Sequence, residues 1–342
     1  MQLIDATNAE AYLRDTGRLA AGDRVRVREL AGGVSNIVLL VEFEDSARAP
    51  FVLKQAREQL RVAQPWFCSP ERIWREVEVL NLCKKVLARR RRDRLPYDVP
   101  TIVFKDNEKY LYAMTAADSN AKTWKAELLS GTVRDWVTIA CGRMLGQIHA
   151  ESRQAKRWHE RLQDKRFFID LRIKPYYCRI AEKHPPLGNR IDKLIDETLA
   201  TEKCLVHGDF SPKNLLVSPQ EVFLIDFEVG HLGDPAFDIG FLLTHLCLKA
   251  IHLPDNAALR KLPKIFWWHY RIRLGAAFDE IVCEQRCIQH LLACMLARVD
   301  GKSPVDYLDE EEQSKVRAMC LSLFDNPPTT MNDALGRIVG IQ

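Results

Sequence analysis

The sequence predicts an α+β protein with two lobes, a small β-rich amino-terminal lobe followed by a larger, mainly α-helical lobe. Two observations predict this class. Short β-like runs separated by turns fill the first third of the chain, whereas apolar residues recur at helical spacing from Thr132 onward. The 342 residues, of which 47% are hydrophobic and 28% charged, suffice to bury a large core and exclude disordered and fibrous proteins.

The amino-terminal lobe is predicted to contain a small antiparallel sheet, with a Gly-rich turn between its first two strands. The predicted strands span residues 24–30, 37–44, 51–55, 101–105 and 109–114. The composition changes to helical patterning after the last of these strands. The predicted domains are therefore an amino-terminal lobe of residues 1–113 and a carboxyl-terminal lobe of residues 114–342.

One helix is predicted within the first lobe, over about residues 70–88. It begins where Ser69-Pro70-Glu71 supplies a capping residue, a proline at the first helical position and an acid in the first turn. The second lobe is predicted to be helical except for a strand–loop–strand section at residues 204–227. Its most apolar stretch, residues 239–251, predicts a buried helix, because polar residues interrupt it well short of the roughly 18 apolar residues that span a bilayer.

The residues that could carry chemistry lie in and just after the strand–loop–strand section. His207-Gly208-Asp209 is followed by Asn214, and an apolar strand then ends on Asp226 and Glu228. Carboxylates at the end of a buried strand are costly unless they hold a cation or a proton. Phosphoryl transfer needs one carboxylate to accept a hydroxyl proton, and an Asn with a second carboxylate to hold Mg²⁺ on the phosphates. The pattern indicates Asp209 for the first role, and Asn214 and Asp226 for the second.

These motifs, taken in order, make the chain resemble the aminoglycoside phosphotransferase and choline kinase branch of the protein-kinase-like superfamily. The resemblance extends over roughly residues 20–300. The segments that carry it are Leu30-Ala31-Gly32-Gly33-Val34-Ser35-Asn36, Val52-Leu53-Lys54-Gln55, His207-Gly208-Asp209 through Asn214, Ile225-Asp226-Phe227-Glu228 and Phe237-Asp238-Ile239-Gly240. The resemblance implies the bilobal kinase-like fold and a kinase that uses Mg²⁺ and ATP.

The resemblance also implies a nucleotide site in the first lobe. The residues implied to cover the phosphates are Gly32, Gly33, Ser35 and Asn36. Lys54 is implied to hold the α- and β-phosphates, fixed by Glu76, and the backbone near Met114 to bind adenine. Glu76 is preferred to Glu71 and Glu78 on the same helix because it completes the Glu-Arg-x-x-x-Glu pattern of the family.

Four residues around the catalytic Asp209 receive roles from the same resemblance. His207 and Asp238 are implied to support and orient the catalytic loop. Lys213 is either a solvated loop lysine or a group that neutralises charge on the transferring phosphoryl group. Gly208 takes the place of an Arg that receives an activation-loop phosphate in many protein kinases, which argues against activity switched by phosphorylation.

The predicted acceptor is the hydroxyl of a small polyhydroxylated molecule. Residues 52–72 resemble methylthioribose kinase, so a methylthioribose-like sugar is favoured over an aminoglycoside or a choline-like amino alcohol. The acidic run Asp309–Glu312 could line a cation pocket or begin a solvated helix. A regulatory nucleotide-binding pseudokinase stays a further alternative, although Lys54, Asp209 and Asp226, whose loss marks such proteins, are all present.

Several classes of partner and site are excluded or disfavoured. A formal net charge of +4 is too small to indicate a nucleic-acid binder, and no apolar run is long enough to predict a membrane span. The absence of a signal-like amino terminus and ten scattered cysteines predict a cytoplasmic location. Cys283, Cys287, His290 and Cys294 are at helical spacing, but one helix would place its ends about 16 Å apart, too far to surround one zinc ion.

Overall fold

A computed structural model describes residues 3–30, 35–45, 48–61, 66–88 and 96–340. The α+β class is confirmed, with a β-sheet in the amino-terminal part and a mainly helical carboxyl-terminal part. The strands are β1 (Val25–Glu29), β2 (Asn36–Phe43), β3 (Phe51–Ala56), β4 (Tyr97–Asp98), β5 (Ile102–Asp106), β6 (Leu111–Thr115), β7 (Lys122–Thr123), β8 (Cys204–Val206), β9 (Leu215–Val217), β10 (Val222–Leu224) and β11 (His231–Gly233). The α-helices are α1 (Ala9–Asp15), α2 (Arg72–Ala88), α3 (Trp124–Leu129), α4 (Asp135–Arg153), α5 (His159–Leu162), α6 (Arg166–Phe168), α7 (Arg179–Lys183), α8 (Gly188–Ala200), α9 (Pro235–His252), α10 (Ala257–Leu274), α11 (Phe278–Ile281), α12 (Glu284–Asp300), α13 (Glu310–Asp325) and α14 (Met331–Val339).

The first sheet is antiparallel and has the strand order β1-β2-β3-β6-β5. All six residues of the central strand β3 are buried, because α1 covers one face of the sheet and α2 the other. Side chains alternate between the two faces of a strand. Phe51 and Leu53 therefore pack towards α1, whereas Val52, Lys54 and Ala56 face α2. This alternation puts the one lysine of β3 beneath the helix that bears Glu76.

Each predicted strand of this lobe is confirmed to within two residues at either end. Helix α2 is also confirmed, but it begins at Arg72 rather than at residue 70. The N–H groups of Arg72 and Ile73 donate to the carbonyls of Ser69 and Pro70, three residues earlier, so the first turn is tighter than an α-helix. The predicted boundary between residues 113 and 114 lies inside β6, and the division into lobes stays a prediction.

Two small sheets frame the strand–loop–strand section of the second part. One has the order β4-β10-β9-β7, and the other pairs β11 with β8. The predicted section contains β8, β9 and β10, while the short strands β4, β7 and β11 were not predicted. Strand β4 lies between α2 and β5 in the chain but pairs in parallel with β10, so a segment of the amino-terminal part contributes to the second sheet.

The helical part is built around α9, whose residues 235–250 are all buried. This confirms the predicted core helix. Helix α12 approaches α9 so closely at Gly240 that a Cβ there would lie 2.5 Å from the Cβ of His290, so no larger residue fits without moving a helix. Among the described residues, no helix is long and apolar enough to cross a membrane.

The cysteine–histidine set on α12 forms part of this packed seam. Cys287, His290 and Cys294 are fully buried. One ring nitrogen of His290 lies 2.6 Å from the Tyr177 hydroxyl and the other 3.1 Å from the Thr198 hydroxyl, so both are already hydrogen-bonded. These three residues have a packing role, as predicted, whereas Cys283, at the N-cap of α12, is only half-buried.

Candidate active site

The loop between β8 and β9 is held by the first turn of α9. Asp238, fully buried in that turn, accepts hydrogen bonds from the N–H groups of His207 at 2.7 Å and Gly208 at 2.8 Å. Gly208 has φ +75°, and a Cβ there would lie 3.0 Å from the carbonyl oxygen of Val229. The backbone at residue 208 therefore requires glycine, and the arginine of many protein kinases would not fit.

Asp209 is a buried carboxylate surrounded by donors. Its Oδ1 lies 2.7 Å from Nη2 of Arg172, and its Oδ2 lies 2.9 Å from Nζ of Lys213 and 2.8 Å from Nδ2 of Asn214. Burial raises the pKa of Asp209, but Arg172 and Lys213 more than offset this effect and hold the pKa below its usual value. Asp209 is therefore ionised at neutral pH and able to accept a proton. The Lys213 ammonium forms an ion pair with the Asp209 carboxylate.

Arg172 is a site residue that the sequence did not reveal. It lies in Ile169–Cys178, a stretch wound as a π-helix between α6 and α7, and is 8% exposed. Its Nε donates to the carbonyl of Gly208 at 2.8 Å, so one guanidinium binds both the backbone and the carboxylate of the catalytic loop. No motif surrounds Arg172 in the sequence, and only the three-dimensional fold brings it to Asp209.

A second cluster joins β3, α2 and the end of β10. Nζ of Lys54 lies 2.7 Å from Oε1 of Glu76 and 2.6 Å from Oδ1 of Asp226. Of the three glutamates considered on α2, Glu76 faces Lys54, while Glu71 and Glu78 pair with surface arginines of the second part. The structure thus brings together the three residues that the sequence placed at the phosphates.

The charges in this second cluster depend on one another. Burial raises the pKa of Glu76 to about 7, although Lys54 opposes the shift. Burial also raises the pKa of Asp226, but Lys54 and Lys213 reverse the effect and hold it below its usual range. Asp226 has φ +72°, a left-handed conformation that is uncommon for residues other than glycine and that Asp tolerates better than most. Asp226 is therefore ionised and turned by its backbone towards Lys54.

Glu228 connects the predicted nucleotide turn to the segment after β10 that carries Asp226. Its carboxylate accepts hydrogen bonds from Ser35 Oγ at 2.6 Å, Asn36 Nδ2 at 2.9 Å and Arg72 Nε at 3.0 Å. Ser35 and Asn36, both predicted for the nucleotide site, therefore lie at the second carboxylate of the Asp-Phe-Glu segment. Gly32 and Gly33, predicted for the same turn, lie outside the described residues.

Arg72, the first residue of α2, binds several groups of this region, and the sequence did not single it out. It is fully buried and, besides Glu228, donates to four backbone carbonyls. These carbonyls belong to Ser35, Arg57, Cys68 and Ser69. Its position in the Glu-Arg-x-x-x-Glu pattern, four residues before Glu76, was the available signal.

Replacing Arg72 with Met is expected to destabilise the protein by about 3–5 kcal/mol, because Glu228 is left as a buried charge without its cation and four carbonyls lose a donor. The measurement is the free energy of unfolding in urea. Arg179→Met, which removes an exposed arginine paired with Glu182, is the matched control and is expected to change the free energy by about 0.5 kcal/mol or less. Equal effects of the two substitutions would contradict this role for Arg72.

Met114 lies at the end of β6, opposite Val52 in the pairing of β6 with β3. It therefore shares a face of the sheet with Lys54, whose own partner in the pairing is Tyr112. The N–H of Thr115 donates to the carbonyl of Thr101 at 2.9 Å, which holds the chain as it leaves the sheet. The predicted adenine segment thus begins on the face that carries the lysine.

The carboxylates of this site fit a hard divalent cation. Glu76, Asp226 and Glu228 each offer an oxygen, and these oxygens lie within 4.8 Å of one another. Asn214 lies beside them in the backbone, since its carbonyl accepts from the N–H of Ile225 at 3.0 Å. Carboxylate and amide oxygens are the ligands that Mg²⁺ and Ca²⁺ prefer. Because Lys54 is the cation that balances Glu76 and Asp226, the cluster retains negative charge for a metal.

Comparisons with known proteins show what the chain as a whole is similar to. A family model described as "Phosphotransferase enzyme family" matches residues 26–262. A methylthioribose kinase of Pectobacterium carotovorum is 23% identical over 287 residues, which cover 75% of this chain and 68% of the relative. A methylthioribose kinase of Bacillus cereus is 23% identical over 277 residues, covering 72% and 67%.

Two solved structures are similar to the whole fold. A choline kinase from Cryptosporidium parvum has a TM-score of 0.58 at 13% identity, with 97% of this chain and 99% of that chain covered. An amicoumacin kinase in complex with AMP-PNP, Ca²⁺ and Ami has a TM-score of 0.52 at 16% identity, with 94% and 95% covered. At these identities the likeness shows the fold alone.

Proposed function

We propose that this chain, which belongs to the phosphotransferase enzyme family, transfers the γ-phosphate of ATP to a hydroxyl of a small polyhydroxylated acceptor. That the chain is a small-molecule kinase acting on hydroxyl-bearing compounds follows from the family. The observation that carries the fuller proposal is Asp209, a buried ionised carboxylate clamped by Arg172 and Lys213 beside a second cluster of carboxylates.

Asp209 has room for one more hydrogen bond, which we assign to the acceptor hydroxyl. A carboxylate accepts about four hydrogen bonds. Arg172, Lys213 and Asn214 supply three, so one lone pair is left for the hydroxyl. With its orientation fixed, the carboxylate can position the hydroxyl and take its proton as the new bond forms. Lys213 also brings positive charge next to the transferring group, as one of its two sequence interpretations suggested.

The nucleotide is assigned to the face of the first sheet that carries Lys54. Lys54, fixed by Glu76, would hold the α- and β-phosphates, and residues 32–36 would cover them. Asn214 and Asp226, with Glu228 close by, would hold Mg²⁺. When bound, this ion neutralises phosphate charge. Asp238 and His207 keep the catalytic loop in register with these groups.

Among acceptors, we favour a methylthioribose-like sugar over a polycation or an amino alcohol. The methylthioribose kinases among the relatives support the choice. The groups beside Asp209, Arg172 and Lys213, are both cations, which disfavours a cationic acceptor. The acidic run Asp309–Glu312 begins α13: the Asp309 side chain accepts a hydrogen bond from the N–H of Glu312, and the N–H of Asp309 donates to the Glu312 carboxylate. This capping box gives the run a structural use.

The test is an ADP-release screen of methylthioribose, ribose, sugar acids, choline, homoserine and kanamycin. Polyhydroxylated acceptors are expected to have kcat/KM at least about 10-fold above choline and kanamycin, a difference that corresponds to about 1.4 kcal/mol. The Asp209→Asn protein serves as the blank for contaminating kinases. Turnover of cationic acceptors alone would contradict the choice of acceptor, and ADP release no faster than in the blank would favour the pseudokinase alternative.

A further inference from the structure

Helix α9 contains a buried lysine that no carboxylate balances. Lys249 is 1% exposed, and its Nζ is 3.3 Å from the carbonyl of His245 and 5.0 Å from the centre of the Tyr307 ring. Within the described residues, no carboxylate lies at ion-pair distance from it. Burial lowers the pKa of Lys249 to about 7, and repulsion from Lys125 and Arg298 contributes. A buried ammonium without a counter-ion is costly, so the site calls for an explanation.

Other donors at the same place also have hydrogen bonds left to make. Arg298 donates through Nη1 to the Tyr176 hydroxyl at 3.0 Å, but its Nε is buried and has no partner among the described residues. The same holds for the buried hydroxyl of Tyr307. Nζ of Lys125 is 5.9 Å from the centre of the Tyr307 ring and is paired with Asp306 at 3.0 Å. Three cations therefore lie around Tyr307, and two carboxylates, that of the exposed Asp306 and that of the half-buried Glu312 paired with the neighbouring His252, offset part of their charge.

This group of donors lies beside the catalytic loop. The N–H of Lys125, at the start of α3, donates to the carbonyl of Pro212 at 2.8 Å. On the other side, the ring of Tyr176, which holds Arg298, has its centre 5.9 Å from Cζ of Arg172. Arg172 is the residue that binds Asp209. Two chains of contacts, one through Pro212 and one through Tyr176 and Arg172, thus connect the donors to the loop that bears Asp209.

Helix α9 connects the two places along one face. Phe241, His245 and Lys249 recur at intervals of four residues, which places them one above another on the helix. The Phe241 ring centre is 5.6 Å from Cζ of Arg172 and 5.1 Å from the ring centre of His245. Burial and the nearby cations Lys249, Arg298, Lys213 and Lys125 hold the pKa of His245 well below its usual value, so it stays neutral. The face of α9 between the level of Arg172 and Lys249 therefore presents an aromatic ring and a neutral imidazole.

Resting on the proposed function, we propose that the acceptor carries an anionic group, a carboxylate or a phosphate, bound by Lys249, Arg298 and Lys125 while its hydroxyl lies at Asp209. The anion supplies the counter-ion that Lys249 lacks and an acceptor for the free donors of Arg298 and Tyr307. Binding raises the pKa of Lys249 and keeps the lysine charged. Within the polyhydroxylated class, the acceptor is then a hydroxy acid, sugar acid or sugar phosphate, and this anionic acceptor replaces the neutral methylthioribose-like sugar that the relatives alone favoured.

The test measures binding within matched pairs that differ by the anion alone: gluconate against sorbitol, and ribose 5-phosphate against ribose. Isothermal titration uses the full chain with Mg²⁺ and AMP-PNP already bound, so that the nucleotide site cannot take up the probe. The acid or phosphate of at least one pair is expected to bind about 10-fold or more tighter than its neutral partner. The preferred pair identifies carboxylate or phosphate.

Two substitutions examine the assigned residues. Lys249→Met is expected to reduce the preference for the anion to less than about 3-fold and, because it removes an unbalanced buried charge, to raise the unfolding temperature. Lys193→Met, which removes an exposed lysine of α8, is the matched control and is expected to keep the preference. Should the Lys249→Met protein not fold, Lys125→Met is measured in its place. Lys125 is half-exposed, and its replacement is expected to weaken binding of the anion.

The outcomes separate this proposal from the proposed function. Equal binding of the members of both pairs, absence of binding by either anion, or a preference that survives Lys249→Met would overturn the anion site. Phosphoryl transfer is followed in parallel. Transfer to neutral or cationic acceptors alone would overturn the anion site and leave the kinase function standing. If an anion binds but no acceptor in the screen receives phosphate, the kinase function is contradicted and the anion site stands.

Discussion

Replacing Asp209 with Asn is expected to lower turnover by about 10²–10⁴-fold and to leave the affinity for nucleotide nearly unchanged, because an amide cannot accept the proton of the acceptor hydroxyl. The substitution keeps the shape of the side chain. Arg172 and Asn214 also hold the loop through backbone carbonyls, those of Gly208 and Asp209, so the loop is expected to keep its conformation. The measurement is single-turnover phosphoryl transfer together with titration of AMP-PNP.

The matched control for this experiment is Asp333→Asn, the same chemical change in α14. Asp333 pairs with Arg337 on the surface and lies outside the site, so turnover is expected to match that of the unmodified chain. Turnover in the Asp209→Asn protein above about one third of the original rate would remove Asp209 from the proposed role.

Removing the carboxylate of Asp226 is expected to abolish both Mg²⁺-dependent nucleotide binding and activity, because the ion then loses its main charged ligand. The substitution should be made to both Ala and Asn. At φ +72°, Ala adds a backbone cost of about 1–2 kcal/mol that Asn largely avoids, so loss of binding in both proteins assigns the effect to the carboxylate. Titration of AMP-PNP with and without Mg²⁺ measures it.

Chelation with EDTA is expected to reproduce the loss in the unmodified chain. In the two variants, addition of EDTA should then change nothing further. Retention of tight Mg²⁺-dependent binding by both variants would move the metal to other ligands, and Glu76 with Glu228 would be the next to replace.

The sequence was informative about the site where spacing along the chain is itself the signal. His207, Asp209 and Asn214 lie within one loop, so their order and spacing already place them together. Lys54 and Glu76 are separated by 22 residues, but the alternation of β3 and the periodicity of α2 bring them together at 2.7 Å. These motifs could be read because local geometry largely determines where their side chains point.

The two arginines of the site could not be read in the same way. Arg172 reaches Asp209 only because a π-helical stretch packs beside the catalytic loop, and nothing in the residues around it marks that contact. Arg72 was visible as part of a pattern, but the pattern did not show that it would bind Glu228, 156 residues later in the chain. The short strands β4, β7 and β11 escaped prediction for a related reason: two or three residues carry too little periodicity.

By itself, the sequence determined the α+β class, the principal strands and the helix α2 of the amino-terminal part, the core helix and the motifs typical of phosphoryl transfer, because each rests on local periodicity or on residues close together in the chain; it did not predict the short helix α1. Apart from the predicted pair of Lys54 and Glu76, tertiary structure alone decided which buried charges meet. It balanced Asp209 with Arg172 and Glu228 with Arg72, and it buried Lys249 near other cations with no carboxylate of the described residues at ion-pair distance. The physical reason is that the cost of a buried charge depends on the groups within a few ångströms of it, and those groups come from distant parts of the chain.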